Sequence, residues 1–322
     1  MNSNNNLIIK ECDSDTEWDH FVLQSVNKNF YSLSDMLNLE NNKKYFVYKQ
    51  KEKIASFCLI IHGEKIVLPK YLIYTPINYK YFKNSKKASI NSHQFIVNET
   101  IQKFLVKNFS EINISFDMYT SDLRPFSWFG FPDYKEKFLT NVRYTLISDI
   151  KNLSINNLEK KEIYTDSSET NRREIRNSLK KKYSFKELFS KEIFFKLKEK
   201  SYSLHNKKIN LDYYQKIFKS FEILHKKKLI KMYVGFESGN PFSMTLFGII
   251  NDKAIFLHSG RNEKGDNKNL YGVYQIFNSI LQLSKLGVEK IDFEGINSPK
   301  NSVSKMKFGG EVNPYYSLKL VN

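Results

Sequence analysis

The chain has 322 residues, of which 41% are hydrophobic and 15% aromatic, and 51 Lys and Arg outnumber 34 Asp and Glu for a formal net charge of +17. Apolar content of that size excludes an intrinsically disordered chain, and the length favours two domains of ordinary size over one core. The basic excess either attracts polyanions such as RNA, phosphorylated substrates or anionic lipid headgroups, or reflects a compositional drift toward Lys, Asn and Ile that runs through loops as well as elements.

In chain order, LIIKEC reads as a short strand and DTEWDHFVLQSV as a helix with an acidic first turn. KKYFVYKQ and KIASFCLII flank Lys51 and Glu52 as a hairpin, and Cys58 falls in the apolar run of its second strand. KIVLPKYLIYTPI is extended. NSHQFIVNETIQKFLVKNF is a helix capped by Asn91 or Ser92, with Phe95, Ile96, Ile101, Phe104 and Leu105 on one face. EINISFDMYT and NVRYTLISDI are strands, and polar KNLSINNLEKKE then marks a boundary near residue 150. Beyond it, SSETNRREIRNSLKKK is a basic helix, followed by the helical segments SKEIFFKLKEKSYSLHNKK and LDYYQKIFKSFEILHKKK. Three strands follow, KLIKMYVGFE, NPFSMTLFGIIN and KAIFLHSG. LYGVYQIFNSILQLSKLG is the clearest helix, ended by Gly287. VEKIDFEGI is the next strand, NSPKNSVSK a polar loop, and YYSLKLV the last strand. Strand, loop, helix and strand make a βαβ-type unit, and the expected domains are 1–150 and 151–322.

Polar residues gather where the second half would open a cleft. His258 and Ser259 follow the strand AIFL, while Asp292 and Glu294 alternate with Ile291 and Phe293, so period two sets both acids opposite the apolar pair. The following loop delivers Lys305, and Gly309 and Gly310 suit positive φ or a close backbone approach. Acyl transfer to an amine needs a cation or backbone amide facing the oxyanion, a role for Lys305, and a proton acceptor, a role for Asp292, Glu294 or His258. Each has a plainer reading: a hydrogen-bonded structural histidine, a solvated acid pair, one lysine among many. Arg172, Arg176 and Lys180 share a helix face suited to phosphates or simply to water. No nucleophile elbow, Walker loop or dinucleotide fingerprint occurs, Cys12 and Cys58 give neither a disulfide framework nor zinc spacing, and the six histidines are not paired for a metal. MNSNNNLIIK lacks a signal-peptide pattern and the apolar runs fall short of the ~20 residues of a membrane span, so the expectation is a soluble cytoplasmic protein with no transmembrane segment.

Four pieces resemble the Fem family of peptidoglycan-bridge aminoacyltransferases and the wider GNAT-fold group. NRREIRNSLKKKYSF looks like that family's basic helix. SYSLHNKKINLDYYQKIF is similar to its helix, basic-polar turn and aromatic pair. FLHSGRNEKGDNKNLYGVYQIFNSILQLSKLGVEKIDFEGI looks like its strand, loop, long helix and closing strand, and SKMKFGGEVNPYYSL is similar to its Gly-Gly close. The pieces keep their order across about residues 165 to 320, and the first half fits more loosely.

The resemblance implies an α/β (α+β) chain of two tandem GNAT-like domains, each a mixed, mostly antiparallel sheet flanked by helices. It implies an acyltransferase that moves an aminoacyl or acyl group to an amine of a cell-envelope or surface-glycan precursor. The donor would be aminoacyl-tRNA or acyl-CoA, with no permanently bound cofactor and no metal. The family's cleft lysine falls on Lys305, and a family tyrosine falls on His258, a substitution. Arg172, Arg173, Arg176, His205, Lys208, Ser259 and Arg261 are then the residues for phosphate or substrate. The long tRNA-gripping helical hairpin of some members is missing, and GRNEKGDNKNLYG does not match the CoA phosphate loop, which favours the tRNA donor. Two further readings stand beside this one: a CoA-dependent N-acetyltransferase of a sugar or small amine, and a non-catalytic GNAT-like module that binds polyanions. Work on a cell-wall precursor implies peripheral contact with an anionic membrane at its inner face.

Overall fold

The computed structural model describes residues 7–81, 86–120, 122–204, 206–262 and 268–321. The first elements are β1 (Leu7–Glu11), α1 (Asp15–Gln24), α2 (Ser34–Leu37), β2 (Asn42–Lys49), β3 (Glu52–His62), β4 (Lys65–Ile66), β5 (Asn78–Tyr79), α3 (Lys87–Asn108), β6 (Glu111–Phe116), α4 (Arg124–Ser127) and β7 (Lys137–Asp149). Then come α5 (Glu162–Thr165), α6 (Glu169–Leu179), β8 (Ser184–Glu187), α7 (Lys191–Ser203), α8 (Leu211–Lys226), β9 (Ile230–Glu237), β10 (Asn240–Ile250), β11 (Lys253–Arg261), α9 (Lys268–Lys285), β12 (Lys290–Asp292), α10 (Pro299–Met306) and β13 (Glu311–Val321). They form two compact units, Met1–Arg143 with Pro314–Asn322, and Tyr144–Asn313.

In the first unit the strand order is β1-β2-β3-β4-β6-β13, with β5 on β3. Among the described residues only the β4–β6 pairing is parallel. The hairpin read around Lys51 is β2 and β3, turned with Gln50 in the left-handed region at φ 57°. Ser14 caps α1 by accepting from the Glu17 amide, and the helix buries Trp18 and Val22. Helix α3 starts at Lys87, before the caps that the sequence suggests, and Asn91 and Ser92 ride exposed within it. What fixes α3 is its inner stripe of Val97, Ile101 and Leu105 against Phe57, Ile114 and Phe116, not a cap.

In the second unit the order is β7-β12-β11-β10-β9-β8, antiparallel except for β11–β12. Helix α9 lays Val273, Phe277, Ile280 and Leu281 on a core with Phe247, Phe256, Ile291 and Phe293. It ends as expected at Gly287, φ +85°. Helices α7 and α8 place Phe194, Tyr214 and Phe221 around the far end of β11. Two elements differ from what the sequence suggests. The strand VEKIDFEGI pairs only over Lys290–Asp292, because Glu294 turns left-handed at φ 60°. The polar loop NSPKNSVSK is helix α10, set by extended Ser298 followed by Pro299 in the first turn, where proline's missing N–H costs nothing.

The Gly-Gly pair after α10 needs its lack of side chains. Gly310 has φ +107°, and a Cβ there would overlap Ser148 Oγ and lie 2.7 Å from the Ile147 carbonyl oxygen. Gly310→Ala is expected to destabilise the chain by about 2–3 kcal/mol, seen as a lowered denaturation midpoint, because left-handed strain and a backbone clash coincide.

Candidate active site

The second unit opens between two parallel strands. β11 and β12 pair only from Lys253↔Lys290 to Ile255↔Asp292. Past Asp292 the chain keeps to β7, with the Phe293 amide donating to Leu146 O at 2.9 Å and the Ile296 amide to Tyr144 O at 3.0 Å. β11 runs on to Arg261 paired with β10 but no longer with β12. Into this opening α10 returns Lys305, whose Nζ lies 3.3 Å from Glu294 O, 3.4 Å from Gly295 O and 5.6 Å from the centre of the Phe256 ring. Phe256, Phe293 and Phe308 form an aromatic floor in consecutive ring contact. Asp292 accepts hydrogen bonds from the Thr145 hydroxyl and from the Glu294 amide.

Burial sets the electrostatics. It pushes Glu294 up to about 8, with only partial relief from the Lys305 charge. It raises Asp292 as well, although the bonds from Thr145 and the Glu294 amide pull the other way. It lowers Lys305, against the attraction of Glu294 and Asp292. At each group the loss of water outweighs the mutual attraction. A lysine and two acids that converge on a half-closed aromatic opening can stabilise a developing oxyanion and accept a proton near neutral pH.

His258 is not part of this cluster. The β10–β11 register steps from Phe247↔Phe256 to Leu246↔His258, leaving Leu257 as the extra residue of a bulge. In a regular strand Phe256 and His258 would share a face; the bulge turns them apart. The His258 ring packs edge-on against Phe194 and Tyr214 and tilted against Phe221. Its pKa falls well below the ordinary value through burial and the nearby Lys198 charge.

Lys198 is the second member of that pocket. It is 8% exposed, its Nζ lies 5.1 Å from the Tyr214 ring centre, and burial brings its pKa down to about 8. No carboxylate is paired with it among the described residues. Replacing it by the similarly shaped Met is expected to raise stability at pH 7 by about 1–3 kcal/mol, read by denaturant titration, since an uncompensated buried charge is removed. Because the folded pKa lies below the unfolded one, wild-type stability climbs as pH rises from about 8 toward the ordinary 10.5, and the gap to Lys198→Met closes over that window.

The remaining residues singled out by sequence fall elsewhere in the second unit. Arg172 donates to Thr165 O at 3.2 Å and Arg176 to the Tyr164 hydroxyl at 2.7 Å, so both fasten α6 to α5. Arg173 is exposed, as are Lys208, between α7 and α8, and Ser259 on β11. The Arg261 amide donates to Ser201 Oγ, and its guanidinium lies against Gly272 of α9. His205 lies outside the described residues. Thr145, Phe256 and Lys198 were not singled out by sequence. Lys198 had a usable signal, because it falls on the face of α7 that carries Phe194 and Leu197.

No protein-family model matches the sequence, and a search among curated proteins finds no match. Solved structures do match. The crystal structure of FemX is 12% identical with a TM-score of 0.62, covering 95% of this chain and 96% of that one. L-PGS from Bacillus licheniformis is 12% identical with a TM-score of 0.55, covering 95% and 91%. A tandem GNAT protein from the clavulanic acid biosynthesis pathway is 9% identical with a TM-score of 0.54, covering 98% of each chain. The chain therefore has a two-domain, Fem-like GNAT fold. Among the described residues no helix is long and apolar enough to cross a membrane.

Proposed function

We propose that the chain is an acyltransferase that forms an amide on an amine of a cell-envelope or glycan precursor, with aminoacyl-tRNA as donor. The observation that carries this reading is the convergence of Lys305, Glu294 and Asp292 in the opening between β11 and β12. The acceptor nitrogen attacks the ester carbonyl carbon, and the carbonyl electron pair moves onto oxygen. Lys305, held by the carbonyls of Glu294 and Gly295, offers its positive charge to that oxyanion. Glu294, raised to about 8, takes the proton released by the attacking amine. Asp292, engaged by Thr145 and the Glu294 amide, holds that corner in place. Collapse of the intermediate re-forms the carbonyl, breaks the bond to the tRNA ribose oxygen and returns the proton from Glu294 to that oxygen, which leaves as the hydroxyl. Exposed Arg173 and Lys208 supply charge for donor phosphates, and the guanidinium charges of Arg172, Arg176 and Arg261 extend it. The likeness to FemX supports the fold this chemistry needs.

The test is a donor titration of the purified chain with charged tRNA, uncharged tRNA and acetyl-CoA at two salt concentrations. The expected result is salt-sensitive tRNA binding that favours the aminoacylated form. Tight, salt-tolerant acetyl-CoA binding would replace the donor and keep the transfer. Equal binding of charged and uncharged tRNA, with no amide formed, would leave only a polyanion-binding surface.

A further inference from the structure

The first unit carries an aromatic loop whose exposure is built in. Residues 126–138 alternate their rings inward and outward. Phe126 and Phe138 are buried, Phe129 packs on the same core, and Phe126 and Phe129 both contact Phe138. In between, Phe131 is 71% exposed, Trp128 54% and Tyr134 39%. The loop is tight. The Phe131 amide donates to Trp128 O at 3.1 Å and the Tyr134 amide to Gly130 O at 2.6 Å. Gly130 has φ +83°, and a Cβ there would overlap the Glu136 carbonyl oxygen. The outward rings are also ordered among themselves: Phe131 meets Tyr134 edge-on at 5.9 Å, and Trp128 lies 5.8 Å from Phe95 with the Arg124 guanidinium over both rings. Single exposed apolar residues are ordinary, but three aromatic rings held outward on one rigid turn mark a contact surface.

The chemistry selects the occupant. Trp and Tyr carry an apolar body and a polar tip, which suits the headgroup layer of a bilayer, and Phe131 at the apex suits the boundary below it. Exposed Lys135 and Lys137 flank the rings, balanced within the loop by Asp133 and Glu136, while Arg124 is paired with Asp122. The loop itself is thus close to neutral and cheap to desolvate, and the long-range attraction to an anionic surface comes from the chain's +17. We propose that this loop seats the protein on an anionic bilayer, with Trp128, Phe131 and Tyr134 entering the interfacial layer. This inference stands on the first unit alone and holds whether or not the second unit transfers acyl groups.

The chain contains two tryptophans, Trp18, fully buried, and Trp128, exposed, so intrinsic fluorescence reports on the loop. The full chain is titrated with vesicles of phosphatidylglycerol and phosphatidylcholine, and separately with phosphatidylcholine alone. The expected result is a blue shift and cosedimentation with the anionic vesicles only. Trp128→Phe should abolish the shift while the protein still cosediments, and Phe131→Asp should weaken partitioning by roughly tenfold. Three results would overturn the proposal: no vesicle binding, binding with unmoved emission and no effect of Phe131→Asp, or vesicle-free self-association by sedimentation velocity that Phe131→Asp abolishes. The last would make the occupant a second copy of the chain.

Discussion

Lys305→Ala is expected to lower kcat for amide formation by about a hundred- to a thousandfold while leaving KM for the donor nearly unchanged. The reason is positional. The ammonium is held by two backbone carbonyls at 3.3 and 3.4 Å and by the Phe256 face, so its charge is fixed in place before the reaction begins. Such a donor acts on charge that develops only in the transition state, which is why the loss falls on kcat. Lys305→Arg should not restore the rate, because a planar guanidinium cannot reproduce two carbonyl contacts and a free N–H in the same space. Lys305→Met separates electrostatics from packing, since it keeps the stem over Phe256. The Ala and Met variants should lose similar activity. A result in which KM rises and kcat holds would make Lys305 a binding residue and move the reaction centre elsewhere.

The sequence revealed most where one periodic pattern met one core. Helix α9 was legible because its apolar residues and Gly287 agree, and the β2–β3 hairpin because two strand-like runs flank a short polar turn. The acids and Lys305 were legible as a group because they sit close together in sequence after an apolar strand. The missing features all depend on a break in period. The short helix α10 has a polar sequence, and only Ser298 and Pro299 announce it. The parting of β12 from β11 follows from the left-handed turn at Glu294, a residue type that gives no warning of it. The bulge at Leu257 sends His258 away from the face that strict alternation assigns, into a pocket with Lys198. Thr145 meets Asp292 across a strand pairing of 147 residues' separation, which no local pattern encodes.

Glu294→Gln should separate catalysis from stability in one variant. Glu294 titrates near 8 because burial disfavours its charge more than Lys305 favours it. At pH 7 it is mostly protonated, so glutamine matches its dominant form in shape and charge. Wild-type transfer should therefore rise with pH up to a limb near 8, as the carboxylate becomes available, and Glu294→Gln should lose that limb and about a hundredfold in rate above it. Stability runs the opposite way. The folded pKa lies above the ordinary 4.5, so the folded state holds a proton that the unfolded state releases. That stabilisation is complete below about 4.5 and is lost as pH rises through 8. Glu294→Gln, which has no such proton to lose, should melt with wild type at pH 4.5 and above it at pH 9, by several kcal/mol at most. Thermal melts across pH check the burial, and the rate profile checks the role. A melting gap with an unchanged rate profile would leave Glu294 as a buried acid that Lys305 tolerates, and Asp292 would then have to accept the proton. Asp292 is poorly placed for that, because it already accepts from the Thr145 hydroxyl and the Glu294 amide, and each of those bonds favours its charged form and weakens it as a base.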